Sequence, residues 1–294
     1  MKSAENIIKE IKLAAVVVLY NPELDIIDNI FSYIDQLNKL YIVDNSEIPD
    51  QNIIAQLTHL KNIEYIVNKE NLGIAKALNI AAFKAINDQY NWLLTIDQDS
   101  RSQTDMINNL LDFIQKNDME NIGIISPVQI IKLNQDIKYS VLFEEKDLVM
   151  TSGNILNLKI FERVNGFLDY LFIDQVDHEY CLRIRSSGYK IIQINNAFLD
   201  HQLGERKKIK FIFFSKERNQ HSPLRIYYIF RNGLYVNKKY KKLFPEFNKY
   251  IKNVFRNEII CTFLVSEDRI KKFKFIIQAY FDYKNNIFGK YLGK

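Results

Sequence analysis

Two aspartates one residue apart, Asp97 and Asp99 in Thr95-Ile96-Asp97-Gln98-Asp99, have the type and spacing to hold a metal ion. On an extended segment residues i and i+2 point the same way, so the two carboxylates can converge on one hard cation. Mg2+ or Mn2+ there would bridge the two phosphates of a nucleotide diphosphate and stabilise that diphosphate as it departs; an oxygen-rich site accepts either ion. A solvated turn is the commoner reading of so short a motif. The apolar run Leu93-Leu94-Thr95-Ile96 favours the metal, because it makes the pair the end of a buried strand. A second acidic group, Asp174, Asp177 and Glu179, precedes Arg183. On a helix Asp174 and Asp177 are i and i+3 and share a face; read without context, such a cluster caps and solvates a helix start.

The elements that must position these residues are legible from hydrophobic periodicity. Strands are expected at Leu13 to Tyr20, Leu40 to Asp44, Ile63 to Val67, Trp92 to Ile96 and Ile122 to Ile125. Helices are expected between them: Ile26 through Leu37, around Ile53 to Leu57, Gly73 to Asn87, and Ile107 to Ile114. Repeated βα units of this length form a parallel sheet with right-handed crossovers and helices on both faces. Ligands of such sheets bind beyond the carboxyl ends of the strands. Asn21, Asp44, Asn45, Asn68, Asp97 and Asp99 all fall there. Further on, strands are expected around Tyr139 to Phe143, Val149 to Leu156 and Tyr189 to Ile194, with a helix from Gln175 to Ser186 stopped by Gly188. Beyond Leu203 the chain reads as helices separated by basic turns.

Several function classes lose support. The first strand runs into Asn21-Pro22-Glu23, so neither a Gly-rich dinucleotide turn nor a phosphate-cradling loop follows it. There is no serine elbow and no Cys/His metal spacing, and two cysteines imply no disulfide framework. No apolar run approaches the ~20 residues of a membrane span, and the first twelve residues lack a signal peptide's apolar core; the expected location is cytoplasmic. The net charge of +5 hides an asymmetry: residues 205–294 carry 22 Lys/Arg against 7 Asp/Glu, the rest 18 against 28. A basic, aromatic tail suits an anionic surface, or a helical lid with a solvated face.

Six segments in order resemble the family-2 glycosyltransferases, whose fold is the nucleotide-diphospho-sugar (GT-A) fold. They are Val17-Val18-Leu19-Tyr20-Asn21, Val43-Asp44-Asn45-Ser46, Asn71-Leu72-Gly73 through Asn79, Asp97-Gln98-Asp99, Val176-Asp177 through Arg183 with Gly188-Tyr189, and His201-Gln202-Leu203-Gly204. The resemblance implies an α/β catalytic domain over residues 1–204, with a donor half at about 13–128 and an acceptor half at about 129–204, followed by a basic helical region at 205–294. It implies inverting transfer with Asp177 as the general base, Asp174 and Glu179 being competitors. Asp97, Asp99 and His201 would hold Mg2+ or Mn2+. Tyr20, Asn21, Asn71, Gly73 and Lys76 would border the nucleotide, and Asp44 would contact its base. Gly153 would allow close backbone approach to the sugar or only turn a strand, and Arg231 would reach the diphosphate or the acceptor.

Phe172-Ile173-Asp174-Gln175-Val176-Asp177 and Tyr227-Tyr228-Ile229-Phe230-Arg231-Asn232 are similar to the rhamnosyltransferase branch. That implies dTDP-L-rhamnose as donor and a lipid-linked or polysaccharide acceptor; a UDP-sugar donor is the alternative. The basic tail is then expected to meet the anionic inner face of the plasma membrane, with no nucleic-acid module around it. A catalytically silent protein of this fold that binds glycan or lipid is the competing class, against which stand the intact Asp97, Asp99 and Asp177. A nucleotidyltransferase would need a Gly/Arg-rich loop after the first strand, and none is present.

Overall fold

The computed structural model describes residues 11–130, 139–201, 206–210, 215–219, 221–264 and 268–293, and at 201, 206–210 and 215–219 it describes the backbone alone. The first half builds as periodicity predicts. Strand β1 (Leu13–Leu19) is buried at every residue. Its odd positions feed one core with Ile26, Ile30, Leu40 and Ile107, and its even positions feed another with Ala77, Leu78, Ala81 and Phe161. Burial on both faces is why the run is uninterrupted Leu, Ala and Val. Helix α1 (Ile26–Phe31), β2 (Lys39–Asp44), α2 (Gln51–Leu57), β3 (Ile63–Val67), α3 (Ile74–Asn87) and β4 (Trp92–Asp97) follow in alternation.

The first helix stops earlier than the pattern suggests. The Ser32 hydroxyl donates to the Asn29 carbonyl and accepts the Ser102 N–H, so this side chain competes with the helical ladder. The chain resumes as a single 3-10 turn, Ile34–Gln36.

Beyond β4 the sheet becomes mixed. After β5 (Ser100–Ser102), α4 (Met106–Lys116), β6 (Ile122–Ile130), β7 (Phe143–Glu145), β8 (Asn154–Asn157), α5 (Leu158–Arg163), α6 (Val176–Ser186) and β9 (Lys190–His201), the strand order is β3-β2-β1-β4-β8-β6-β9-β5, with β7 also on β9. Strands β1 to β4 pair in parallel. Strand β8 is antiparallel to both of its neighbours, and β5 and β7 are antiparallel to β9. The strand expected from Val149 is shorter because Gly153 adopts φ +83°, and its N–H donates to the Thr95 carbonyl. A Cβ there would lie 2.6 Å from the Pro127 ring.

The tail differs from expectation at its start, where β10 (Arg206–Lys210) pairs antiparallel with β11 (Ser215–Asn219). Five-residue strands dominated by charged residues offer no periodicity to read. Helices α7 (Pro223–Tyr240), α8 (Pro245–Leu264) and α9 (Arg269–Lys284) follow. Ser222 caps α7 by accepting the Arg225 N–H, and Pro223 opens it. Ile226 through Gly233 are all buried, so α7 is the core of the C-terminal region rather than a lid.

Candidate active site

The carboxyl ends of β1, β2 and β3 are tied together by polar side chains. Asn68 donates to Asn45, Asn45 donates to the Gly73 carbonyl, and the Ser46 hydroxyl accepts the Asn21 N–H. Asn21 itself sits in the left-handed region at φ +45°, which asparagine tolerates. Asn71 accepts the Gly73 N–H and shapes the turn into α3. Gly73, at φ +83°, has no room for a side chain: a Cβ would lie 2.6 Å from the Phe172 carbonyl oxygen. Lys76 is exposed on the first turn of α3, and Tyr20 is exposed at the end of β1.

Strand β4 delivers the acidic pair. Gln98 exchanges two hydrogen bonds with the Tyr20 backbone, while the Asn29 amide donates to the Gln98 carbonyl. The Asp97 N–H donates to Ser152 Oγ. These four contacts fix a turn, not the extended segment expected, with Asp97 half-buried and Asp99 exposed. The Asp97 carboxyl is pushed up to about 7, by burial first and then by the negative charges of Asp99 and Asp177, with Arg225 opposing. Asp177, on the first turn of α6, is thus near enough to act electrostatically on a residue 80 positions earlier. Its Oδ1 accepts the His178 N–H, and its side chain is 27% exposed. The charges of Asp99, Asp177 and Arg225 all reach the Asp97 carboxyl.

The two competitors of Asp177 have other occupations. Glu179 is fully buried and accepts from Arg183, Lys239 and the Tyr240 hydroxyl, so it ties α6 to α7. Asp174 lies before the helix, not on it, at φ +61°, and is held by Arg225 at 3.4 Å.

Burial, followed by the charge of Asp177, raises the Asp174 carboxyl to about 6 despite Arg225. A carboxyl raised in the fold contributes stability below its unfolded value that is lost as pH rises through about 6. Asp174→Asn should therefore be more stable than the parent at pH 8 by about 2–3 kcal/mol, with the difference vanishing near pH 4. Urea titrations at the two pH values check this; equal stability at pH 8 would remove the electrostatic account.

Arg231, Gly153 and Asp44 are each engaged within the fold. Arg231 is fully buried, with its guanidinium on the Gly289 and Leu171 carbonyls, Asn232 and the Tyr227 hydroxyl. It is a structural clamp and does not face the cleft, standing within eight consecutive buried residues of α7, Ile226 to Gly233. Gly153 uses its freedom to pack under Pro127 and Leu199, not against an open cavity. Asp44 is fully buried, with one oxygen accepting the Ser46 N–H and the other the Tyr65 hydroxyl; it organises the ends of β2 and β3. The His201 backbone pairs with Ser100, while its side chain and Gln202-Leu203-Gly204 lie outside the described residues. Among the described residues no three His, Cys, Asp or Glu side chains cluster for a metal ion.

Two contributors escaped the sequence reading. Arg225 supplies positive charge beside Asp97 and Asp174; its signal was the Ser-Pro helix start two residues before it. The other is the conformation of the loop from Leu171 to Gln175, whose residues the sequence singled out but placed partly on a helix; Phe172, Asp174 and Gln175 all have positive φ. The Ile173 N–H donates to the Leu171 carbonyl, closing a three-residue γ-turn on Phe172. The Asn232 amide donates to the carbonyls of Leu171, Ile173 and Asp174, and the Ile74 N–H donates to that of Phe172.

A parallel half-sheet with an acidic turn at the end of β4, continued by a mixed half that brings a second carboxylate opposite, defines the GT-A fold of nucleotide-sugar transferases. The chain belongs to Glycosyl transferase family 2, whose profile matches residues 14–168, and it is a glycosyltransferase. It is 28% identical to the dTDP-rhamnosyl transferase RfbF of Shigella flexneri over 76% of this chain and 79% of that one. The fold matches TarS of S. aureus, solved as residues 1–349 with UDP-GlcNAc, at a TM-score of 0.62 and 14% identity, covering 94% of this chain and 82% of that one. It also matches GalNAc-T7, solved with UDP, GalNAc and Mn2+, at a TM-score of 0.54 and 12% identity over 66% of this chain, which spans 44% of that protein.

Proposed function

We propose that this glycosyltransferase transfers L-rhamnose from dTDP-L-rhamnose, with inversion, to a hydroxyl of a lipid-linked or polysaccharide acceptor at the cytoplasmic face of the membrane. The similarity to RfbF over three-quarters of the chain supports the donor. A single observation carries the chemistry: Asp177 from the acceptor half acts electrostatically on Asp97 at the end of β4. In this proposal Asp177 takes the proton from the acceptor hydroxyl as its oxygen attacks the anomeric carbon opposite the diphosphate. Asp97 and Asp99 hold the cation side of the donor, with His201 completing the set. The carboxylate oxygens of the two aspartates, and the crowding that raises Asp97, suit Mg2+ or Mn2+. Such an ion would supply charge neutralisation for the departing diphosphate. Tyr20, Asn21, Asn71, Gly73 and Lys76 line the donor side, and Asp44 serves the base through the strand ends it organises. Residues 13–128 form the donor half, 129–204 the acceptor half, and 205–294 close the acceptor side.

A UDP-sugar donor is the second reading, favoured by the fold shared with TarS in its UDP-GlcNAc complex. Calorimetric titration with dTDP, UDP and GDP, each with and without Mn2+, separates the two. Metal-dependent binding of dTDP, lost in Asp99→Ala, is the expected result. Preference for UDP moves the second reading forward, and no binding by folded protein sinks the donor assignment.

A further inference from the structure

Helices α8 and α9 carry an outer surface that the transfer chemistry leaves unused. On α8, Lys249, Lys252 and Arg256 lead into Ile259, Ile260, Phe263 and Leu264 along one helical face, and all seven are exposed. On α9, Ile270, Phe273, Ile277 and Phe281 recur at the same spacing with Lys274 and Lys284 among them, all exposed. A stripe recurring at 3.6 residues normally faces a core; here the buried faces are the opposite ones, bearing Phe247, Ile251 and Thr262 on α8 and Ala279 and Asp282 on α9. The Phe263 and Phe273 rings meet at 5.9 Å between centroids, so the apolar end of one stripe continues into the start of the other. Ile270 is 76% exposed and Phe263 54%, more apolar surface than one solvated helix pair ordinarily shows water.

Charge decides what covers it. Across the described residues of 245–284, seven exposed Lys/Arg face only two exposed acids, Glu246 and Asp268. A second copy would bring the same excess cations onto their own likeness, and a neutral glycan has no use for isoleucine and leucine. An anionic bilayer takes both components, apolar side chains at the headgroup–acyl boundary and lysines at the phosphates. Among the described residues no helix is long and apolar enough to cross a membrane, which leaves the pair lying on the surface.

We propose that the joined outer faces of α8 and α9 form an interfacial docking surface for an anionic lipid bilayer. Its purpose rests on the proposed membrane-borne acceptor; its binding does not. The test uses the full chain, sedimented with phosphatidylcholine vesicles and with mixed phosphatidylcholine–phosphatidylglycerol vesicles. Two double variants are compared, Ile270→Ser with Phe273→Ser and Lys274→Glu with Lys284→Glu. Binding to the anionic vesicles alone, weakened by salt and at least about tenfold weaker in each variant, is the expected result, with dTDP binding unchanged. Absent vesicle binding by the parent, or binding as tight as the parent's in both variants, overturns the proposal. So does a dimer in light scattering that the Ser variant dissolves, which would assign the face to a second copy. Loss of nucleotide binding in the parent would instead strike the donor assignment and leave vesicle binding to be judged alone.

Discussion

Replacing Asp177 by Asn should lower kcat by about 10²–10⁴-fold, the range a positioned general base supplies, while leaving nucleotide affinity within about twofold of the parent. The substitution keeps the side chain's shape and its acceptance of the His178 N–H, and at 27% exposure it costs little packing. Glu179→Gln is the contrasting variant. Glu179 is fully buried and accepts from three groups, and removing its charge strands the largely buried Arg183, so the expected loss is in folding, about 3 kcal/mol or more. Steady-state kinetics with matched urea titrations separate the two. A near-normal kcat in Asp177→Asn, or a purely kinetic defect in Glu179→Gln, would exchange their roles.

The second large effect is expected at Asn232. Its amide donates to three carbonyls of the loop that carries positive φ at Phe172, Asp174 and Gln175. Each such residue costs on the order of 1–3 kcal/mol unless its surroundings over-determine it. Asn232→Ala leaves three carbonyls without that donor and should destabilise the fold by about 2–4 kcal/mol. Because α6 begins directly after the loop, kcat should fall further than KM rises. Asn232→Asp tests the chemistry: it matches asparagine in size but turns a carboxylate toward three acceptors, and it should fare no better than alanine. Parent-like stability in Asn232→Asp would show that the amide donors are not what holds the loop.

Much of the chain up to β4 was legible because its strands are packed on both faces and its helices bury one stripe, the condition in which periodicity reports structure most directly. Ile63–Val67 falls at its expected bounds and α3 begins one residue after Gly73, where Asn71 shapes the turn. The acidic pair was legible for the same reason: an apolar strand must end somewhere, and it ends at Asp97. The sheet's change to mixed pairing was not, since β8 is four residues long and its direction is set by contacts with Thr95 and Ile125 rather than by its own pattern. Arg231 misled because charge suggests a ligand when nothing local reveals burial. Its partners, the Leu171 and Gly289 carbonyls, lie about sixty residues away on either side, a separation no pattern along the chain encodes. The hydroxyl that Asp44 accepts is equally hidden from its own segment, since it comes from the neighbouring strand at Tyr65.

The loop after Leu171 has a consequence for how this enzyme can be cut and recombined. Its carbonyls are held from one side by Ile74, in the first hundred residues, and from the other by Asn232, in the last seventy. A fragment ending at residue 204 keeps every proposed donor ligand yet lacks half the grip on the segment leading into Asp177. A chimera joined there would inherit an α7 chosen for another protein's loop. Exchange of acceptor preference between relatives should therefore succeed only when the 171–175 segment travels together with α7, although some fifty residues of chain separate them.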